Sequence, residues 1–125
     1  MIDISDDALA DMIDRYCAAW GEDDPSRRLT MLRDVWAEQG TYTDPLAHVE
    51  GLENLVNHIG TMRRQFPGAT IVRTSAIDRH NHCARFAWKL VQGSGEALPE
   101  GVDIVAFRAG KLQSITGFFG PLKPR

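Results

Sequence analysis

The hydrophobic pattern of this chain changes its period once, and that change constrains the fold more than any other feature of the sequence. Over the first half of the 125 residues, apolar side chains recur every three or four positions, which is typical of helices that bury one face. Beyond about residue 70 the sequence has runs of β-branched residues and an alternation of apolar and polar residues, which predicts strands. Helices followed by strands with short turns predict an α+β domain.

Three helices are predicted, each bounded by residues that are typical of helix ends. The bounding residues are Ser5 and Gly21, then Asp24-Pro25 and Gly40, then Gly51 and Pro67-Gly68. The apolar positions between them share a helical spacing: Leu9, Met12, Ile13, Tyr16 and Trp20; Leu29, Leu32, Val35 and Trp36; Leu52, Leu55, Val56, Ile59, Met62 and Phe66. A short extended piece, residues 41–44, separates the second helix from the third.

Two strand pairs are predicted after the third helix. Residues 70–77 and 84–90 form the first pair around a turn at 78–82, and residues 101–108 and 111–119 form the second around Ala109-Gly110. Antiparallel strands in this order predict a curved sheet with the helices on its concave side. Such a sheet encloses an apolar cavity, which is the default site for a small molecule.

Composition limits the partners of this single domain, whose core spans about residues 6–120. Its 14 basic and 17 acidic residues give a net charge of −3, which is too even to indicate a nucleic acid or an anionic membrane. No apolar run approaches the roughly 18 residues of a membrane span, and the acidic N-terminus does not resemble a signal peptide. We therefore expect a soluble, cytoplasmic protein.

The cysteines and most histidines indicate neither a disulfide framework nor a metal site. Cys17 and Cys83 are isolated thiols, and Cys17 lies beside an apolar helical stripe. His80 and His82 lie in a predicted turn without a third ligand nearby, and His48 is expected to be solvated. No metal and no cofactor are predicted.

Four polar residues occupy positions that face the apolar interior or its mouth, and each has a structural and a functional interpretation. Tyr16 is either a core tyrosine bonded to a carbonyl or a donor into the cavity. Asp103, among apolar strand residues, either bonds loop amides or is an acid whose pKa is raised by burial. Asp44 either opens a turn with Pro45 or is a carboxylate at the cavity mouth. His58 is either a core histidine or a second acid–base group.

These positions also carry a resemblance to a known family. The sequence resembles steroid delta-isomerases and, more broadly, the SnoaL-like branch of the nuclear-transport-factor-two-like superfamily, over about residues 8–120. The matching segments are RYCAAW at 15–20, TDP at 43–45 with Gly51 soon after, VD at 102–103, GKL at 110–112 and FFG at 118–120. The resemblance implies a conical barrel, a cystatin-like α+β fold in which a curved, mainly antiparallel sheet wraps three N-terminal helices.

The resemblance also implies roles for individual residues. Tyr16 matches the oxyanion tyrosine of the isomerases, Asp103 their protonated oxyanion aspartic acid and Asp44 their catalytic base. Phe86, Trp88 and Phe119 match aromatic wall positions, and Trp20 and Trp36 are further candidates for holding an apolar substrate. The sequence departs from the isomerases at two neighbouring positions: His58 replaces an apolar aromatic residue and Ile59 replaces a supporting tyrosine.

Three functional hypotheses follow. The first is an enzyme that moves a proton next to a carbonyl group of a small hydrophobic molecule through an enolate, or a polyketide cyclase or dehydratase that uses the same residues. The second is a non-catalytic protein that binds a small hydrophobic ligand. The third is an interaction protein that uses the outer face of the sheet, where the resemblance implies a homodimer; its exposed residues would be Arg85, Ala87, Lys89 and Val91.

Overall fold

A computed structural model describes residues 4–92, 94 and 97–125, and of residues 97–99 it describes the backbone alone; residues 1–3 of the acidic N-terminus lie outside it. The helices are α1 (Asp6–Ala19), α2 (Pro25–Arg33) and α3 (Leu52–Gln65). The strands are β1 (Trp36–Asp44), β2 (Ala47–Glu50), β3 (Thr70–Arg73), β4 (Asp78–His80), β5 (Cys83–Val91), β6 (Ala97–Arg108) and β7 (Lys111–Phe119). None of the described helices is long and apolar enough to cross a membrane.

The strands form one curved sheet in the order β2-β1-β7-β6-β5-β3, with β4 paired to β5. All neighbours are antiparallel except β1 and β7, which run parallel. In the part of the chain that the structure describes, no pairing joins β2 to β3, so the sheet remains open. The predicted fold class, three helices on a mainly antiparallel curved sheet, is confirmed.

One hydrophobic core lies between the helices and the concave face of the sheet. It takes its side chains from the inward positions that the two periodicities predict, such as Leu9 and Ile13 on α1, Leu55 and Ile59 on α3, and Val105 on β6. Along residues 101–107 of β6, buried and half-buried residues alternate without interruption. This alternation places Asp103 on the inner face, as the sequence predicts.

The second helix is shorter than the sequence predicts. It ends at Arg33 instead of Gly40, and Trp36 begins strand β1. Pairing with β7 decides the conformation here, because Trp36 lies opposite Leu112 and the Leu112 amide donates to the Val35 carbonyl at 2.7 Å. Gly40 then lies against the indole of Trp36, where a Cβ atom would come within 2.5 Å of Nε1.

The strand predictions need three corrections. The segment expected to be a loop before Gly51 contains strand β2, which forms a hairpin with β1. The strand expected over residues 70–77 ends at Arg73, and the turn expected over 78–82 is confined to Asn81 and His82 because Asp78–His80 pairs with β5. The tight turn at Ala109-Gly110 is as predicted, and both residues have positive φ angles, 54° and 74°.

Candidate functional site

A cavity of about 100 Å³ lies between α1, α3 and the inner face of the sheet. One water molecule needs only about 10–15 Å³ of such space, so the cavity has room for a small organic molecule. Its wall is mainly aromatic, with rings from Tyr16, Trp20, Tyr42, Phe66, Trp88 and Phe119. The ionisable side chains that line it besides the tyrosines are Asp44, Asp103, His58 and Arg63.

Asp103 is a buried acid with one strong hydrogen-bond donor. Its side chain lies on the inner face of β6 and the residue is 6% exposed. The indole Nε1 of Trp88, on the neighbouring strand β5, donates to its Oδ1 at 2.8 Å. Burial raises the pKa of Asp103 to about 7, with a smaller contribution from the charge of Asp44, while the Trp88 hydrogen bond acts in the opposite direction. A large share of Asp103 is therefore protonated at neutral pH.

Asp44 is held at the end of β1 by two donors. The hydroxyl of Tyr42 donates to Oδ2 at 2.6 Å, and the amide of Leu46 donates to Oδ1 at 2.7 Å. Burial and the hydrogen bond to Asp44 raise the pKa of Tyr42, so its phenol keeps its proton and remains a donor. Two donors, one on each oxygen, fix the orientation of this half-buried carboxyl.

Gly117 separates the two carboxyls and leaves room for both. It lies opposite Asp103 in the β6–β7 pairing and follows Thr116, which pairs with Thr43 of β1. A Cβ atom at this position would lie 2.9 Å from Oδ1 of Asp103 and 3.7 Å from Cβ of Asp44. The 2.9 Å contact is too short for a Cβ atom, so a larger residue would displace the Asp103 carboxyl, whereas 3.7 Å from Asp44 is an ordinary contact.

Tyr16 contributes a neutral phenol to the same cavity. The residue is 2% exposed, and its ring stacks on Trp36 with 5.7 Å between ring centroids. Burial and the charge of Asp103 raise the pKa of Tyr16 well above its ordinary value, while the indole of Trp20 acts in the opposite direction. Among the described residues, the Tyr16 hydroxyl donates a hydrogen bond to no protein acceptor, so it can donate one to a ligand.

His58, on α3, contributes an imidazole ring to the cavity. Its ring lies edge-on to Trp20, with 5.9 Å between centroids, and is tilted against Tyr42 at 5.6 Å. This position, beside two aromatic rings and half-buried, brings the imidazole to the cavity that also contains the carboxyls. The four residues expected to be catalytic thus line one space.

The aromatic residues expected to bind substrate divide into two groups. Trp20, Trp88 and Phe119 line the cavity, and the rings of Trp88 and Phe119 meet edge-to-face at 5.9 Å. Trp36 and Phe86 are each 2% exposed and belong to the core, where Trp36 supports the ring of Tyr16. Neither Trp36 nor Phe86 lines the cavity.

The remaining histidines and cysteines lie away from the cavity. His48 is exposed and contacts Thr43 at 2.7 Å and Glu50 at 3.2 Å, both on the β1–β2 hairpin. His82 lies 6.1 Å from the ring of Phe107. Burial raises the pKa of the Cys17 thiol to about 12, so it is an inert core residue. No cluster of three or more metal-binding side chains is found in the described segments.

Sequence reasoning missed Tyr42, Gly117 and Arg63. The alternation of β1 contains the signal for Tyr42, since residues two apart on a strand share a face and Tyr42 precedes Asp44 by two. Gly117 could not be found in the same way, because its importance depends on pairing between distant strands. Arg63 is 8% exposed, and its guanidinium binds the Asp23 carboxylate and the Ala69 carbonyl.

Comparison with known proteins gives the family. The model of the SnoaL-like domain matches residues 13–115 of this chain. The chain belongs to the SnoaL-like family. A solved structure of a candidate isomerase of this family from Agrobacterium tumefaciens is 31% identical, with a TM-score of 0.85 over 91% of this chain and 98% of that one. The comparison with curated proteins gives no match.

More distant SnoaL-like and ketosteroid isomerase-like structures share the fold. A candidate SnoaL-like polyketide cyclase from Jannaschia is 16% identical, with a TM-score of 0.75 over 95% of this chain and 91% of that one. A protein of ketosteroid isomerase-like fold from Catenulispora acidiphila, in complex with trimethylamine, is 15% identical, with a TM-score of 0.70 over 87% and 85%. The resemblance to the SnoaL-like branch is confirmed.

Proposed function

We propose that this chain is an enzyme that moves a proton at a carbon next to the carbonyl group of a small apolar substrate, through an enolate. The observation that carries the proposal is the convergence of a hydrogen-bonded carboxyl, a buried acid and a phenol on one aromatic cavity. The SnoaL-like family and its candidate isomerase from Agrobacterium tumefaciens agree with this class of reaction.

Asp44 is the base of the proposed reaction. Its carboxylate removes the proton from the carbon next to the carbonyl group. The electron pair of the broken C–H bond forms the C=C bond of the enolate, and the C=O π pair moves onto the oxygen. The same carboxyl then returns the proton, at another carbon if the product is an isomer. The Tyr42 hydroxyl and the Leu46 amide donate hydrogen bonds that fix the orientation of this carboxylate. A fixed carboxylate can both remove and return the proton without reorienting.

Tyr16 and protonated Asp103 stabilise the oxygen that gains negative charge. Both are buried, and burial raises the pKa of each, so that Tyr16 keeps its proton and Asp103 is partly protonated at neutral pH. Donors fixed in a dry site before the reaction act on developing charge without reorganisation, and removing one such donor costs roughly 10²–10³-fold in rate. The surrounding rings of Trp20, Trp88 and Phe119 provide contacts for an apolar substrate.

Hydrogen exchange tests this proposal on a panel of model ketones, before any natural substrate is identified. Apolar ketones and β,γ-unsaturated ketones are incubated with the protein in D₂O, and loss of the proton next to the carbonyl is followed by NMR. We expect accelerated exchange for part of the panel with wild type and with the control Asp78→Asn, whose carboxylate lies on the β4–β5 hairpin. We expect no acceleration with Asp44→Asn. Equal exchange with and without protein across the panel contradicts the proposal.

A cyclase or dehydratase is the second candidate, and the pKa of Asp103 favours it. A carboxyl with a pKa of about 7 is suited to both donating and accepting a proton at neutral pH, so Asp103 itself becomes the acid–base residue and His58 a second one. The fold shared with the candidate polyketide cyclase supports this. If this candidate is right, Asp103→Asn lowers turnover more than Asp44→Asn does.

A binding protein without chemistry is the third candidate. The structural neighbour from Catenulispora acidiphila holds trimethylamine, and the aromatic rings and carboxyls of this cavity suit a small alkylammonium ion. Calorimetric titration with trimethylamine tests it. Binding that is lost in Asp44→Asn, with no proton exchange on any ketone, would support binding over catalysis.

We also propose a homodimer through the outer face of the sheet. Ala87, Val102 and Phe118 lie side by side across β5, β6 and β7, and Phe118 is 58% exposed. An apolar row of this kind favours contact with a second copy. Light scattering of wild type and Phe118→Asp tests it: a mass near 14 kDa for wild type overturns the dimer.

A further inference from the structure

A second group of charged side chains lies outside the aromatic cavity, between α2 and α3. It consists of Arg28 on α2 and Arg63 and Arg64 on α3, and it lines an open pocket that we call the arginine pocket. Arg28 is 3% exposed and Arg63 is 8% exposed, so two of the three guanidinium groups are buried. Asn57, Thr61, Gly60, Asp23 and Pro25 complete its lining.

Arg28 is held by neutral backbone acceptors. Its Nε and Nη2 donate to the Glu22 carbonyl at 3.0 and 2.7 Å, and Nη2 also donates to the Asp23 carbonyl at 3.3 Å. Its Nη1 donates to the Val56 carbonyl of α3 at 2.9 Å. These bonds hold the side chain in place, yet in the described segments no carboxylate forms an ion pair with it. A buried charge without a counter-ion is costly.

The pocket has more positive than negative charge. Asp23 is its one carboxylate among the described residues, and Arg63 binds it through Nε and Nη2 at 2.9 Å. The side chain of Asp23 is 80% exposed, so water weakens this ion pair. Burial, followed by the charge of Arg63, lowers the pKa of Arg28, while the charges of Asp23 and Glu22 act in the opposite direction. In the wall of the pocket itself, three guanidinium groups face one exposed carboxylate.

Gly60 lies where two of the guanidinium groups converge. A Cβ atom built on Gly60 would lie 3.0 Å from Nη1 of Arg28 and 3.6 Å from Nη1 of Arg64. The two Nη1 atoms, which come from different helices, therefore approach the same side of the Gly60 backbone. Arg64 has an exposed side chain whose Nη2 donates to Thr61 at 3.2 Å, which directs it along the pocket.

We propose that the arginine pocket binds a phosphate group, above Gly60 and between Arg28 and Arg64. The guanidinium groups approach from two helices, which suits the several outward-facing oxygens of a tetrahedral anion better than a planar carboxylate. Asn57 and Thr61 add polar side chains to the wall. The site is separate from the proposed proton-transfer site, although Arg63 lies in the walls of both cavities.

Thermal unfolding and calorimetry with inorganic phosphate test this site. Phosphate at rising concentration is compared with sodium chloride at equal ionic strength, for wild type, Arg64→Ala, Gly60→Ala and the control Arg27→Ala. Arg27 is an exposed arginine of α2 that contacts Asp24 at 3.7 Å and does not line the pocket. Arg64 is chosen over Arg28 because the bonds of Arg28 to three carbonyl groups make it part of the scaffold.

We expect phosphate to raise the melting temperature saturably in wild type and Arg27→Ala, beyond the effect of chloride. Arg64→Ala should weaken binding by about tenfold or more, as expected for one lost charge-assisted hydrogen bond. Gly60→Ala should weaken it as well, because its Cβ would lie 3.0 Å from Nη1 of Arg28 and crowd that guanidinium group. An equal response to phosphate and chloride, or an equal phosphate affinity for Arg64→Ala and wild type, overturns the site.

A parallel titration with glycerol phosphate distinguishes the two sources of such a group. Tighter binding of the monoester than of inorganic phosphate assigns the pocket to an organic phosphate. Equal or weaker binding assigns it to the free ion. If neither compound binds better than chloride, the proposal is wrong.

Discussion

Asp44 and Asp103 are the same residue type in one cavity, yet the chain surrounds them differently. Asp44 lies at a strand end, where the Tyr42 hydroxyl and the Leu46 amide satisfy both of its oxygens. Asp103 lies inside a strand, with one indole donor and apolar neighbours, and its pKa rises to about 7. Deeper burial with a single donor therefore leaves Asp103 partly protonated near neutral pH, whereas the half-buried Asp44 has a donor on each oxygen. Pairs of carboxyls separated in this way recur in acid–base enzymes.

The largest expected effect comes from removing each carboxyl in turn. On a substrate found by proton exchange, Asp44→Asn should lower kcat by about 10²–10⁴-fold, because the base is lost. Asp103→Asn should lower it by at most about 10²–10³-fold, because an oxyanion donor is replaced by a weaker one. Steady-state kinetics measures both. A larger loss in Asp103→Asn reverses the comparison and favours the cyclase or dehydratase.

The pH dependence of stability should show the raised pKa of Asp103 directly. The folded chain binds this proton up to about pH 7, whereas the unfolded chain releases it near 3.8. Between these pH values the folded state holds more protons, so its stability falls as pH rises. Relative to Asp103→Asn, wild type should lose about 4 kcal/mol of unfolding free energy between pH 4 and 8. Urea unfolding across this range measures the difference, and a flat difference would refute the assignment.

A smaller effect is expected from removing the support of Asp44. Tyr42→Phe deletes one donor to the carboxylate, and a hydrogen bond to a charged group contributes about 1.5–3 kcal/mol. We expect kcat to fall by about tenfold, with near-wild-type folding. Thr43→Val is the matched control, since this hydroxyl bonds His48 on the other face of the same strand. Equal rates for Tyr42→Phe and wild type would show that Asp44 needs no such support.

The smallest effect concerns Trp88. In the wild-type protein, the hydrogen bond from the Trp88 indole lowers the pKa of Asp103. Trp88→Phe keeps an aromatic ring but removes this donor. The pKa of Asp103 should therefore rise above 7, by roughly one unit. Infrared titration of the carboxylic acid band, with Asp103→Asn as the blank, measures this. A pKa that stays the same or falls contradicts the part assigned to the indole.

Local periodicity is sufficient to predict much of the fold and part of the site. Helical spacing directs Tyr16 inward on α1, and strict alternation does the same for Asp103 on β6. The error at Trp36 has a non-local cause, since its strand conformation depends on pairing with Leu112, far along the sequence. The bond between Trp88 and Asp103 likewise depends on the register of β5 and β6, which no single segment contains.

Gly117 influences the proposed site although it contributes no side chain to it. It has only a hydrogen atom where a Cβ would lie 2.9 Å from Oδ1 of Asp103, so a larger residue would displace that carboxyl. The position of this acid thus depends on a residue that has no functional group of its own. Under the proposed mechanism, a methyl group at residue 117 would therefore lower activity by moving Asp103, without removing any reacting group.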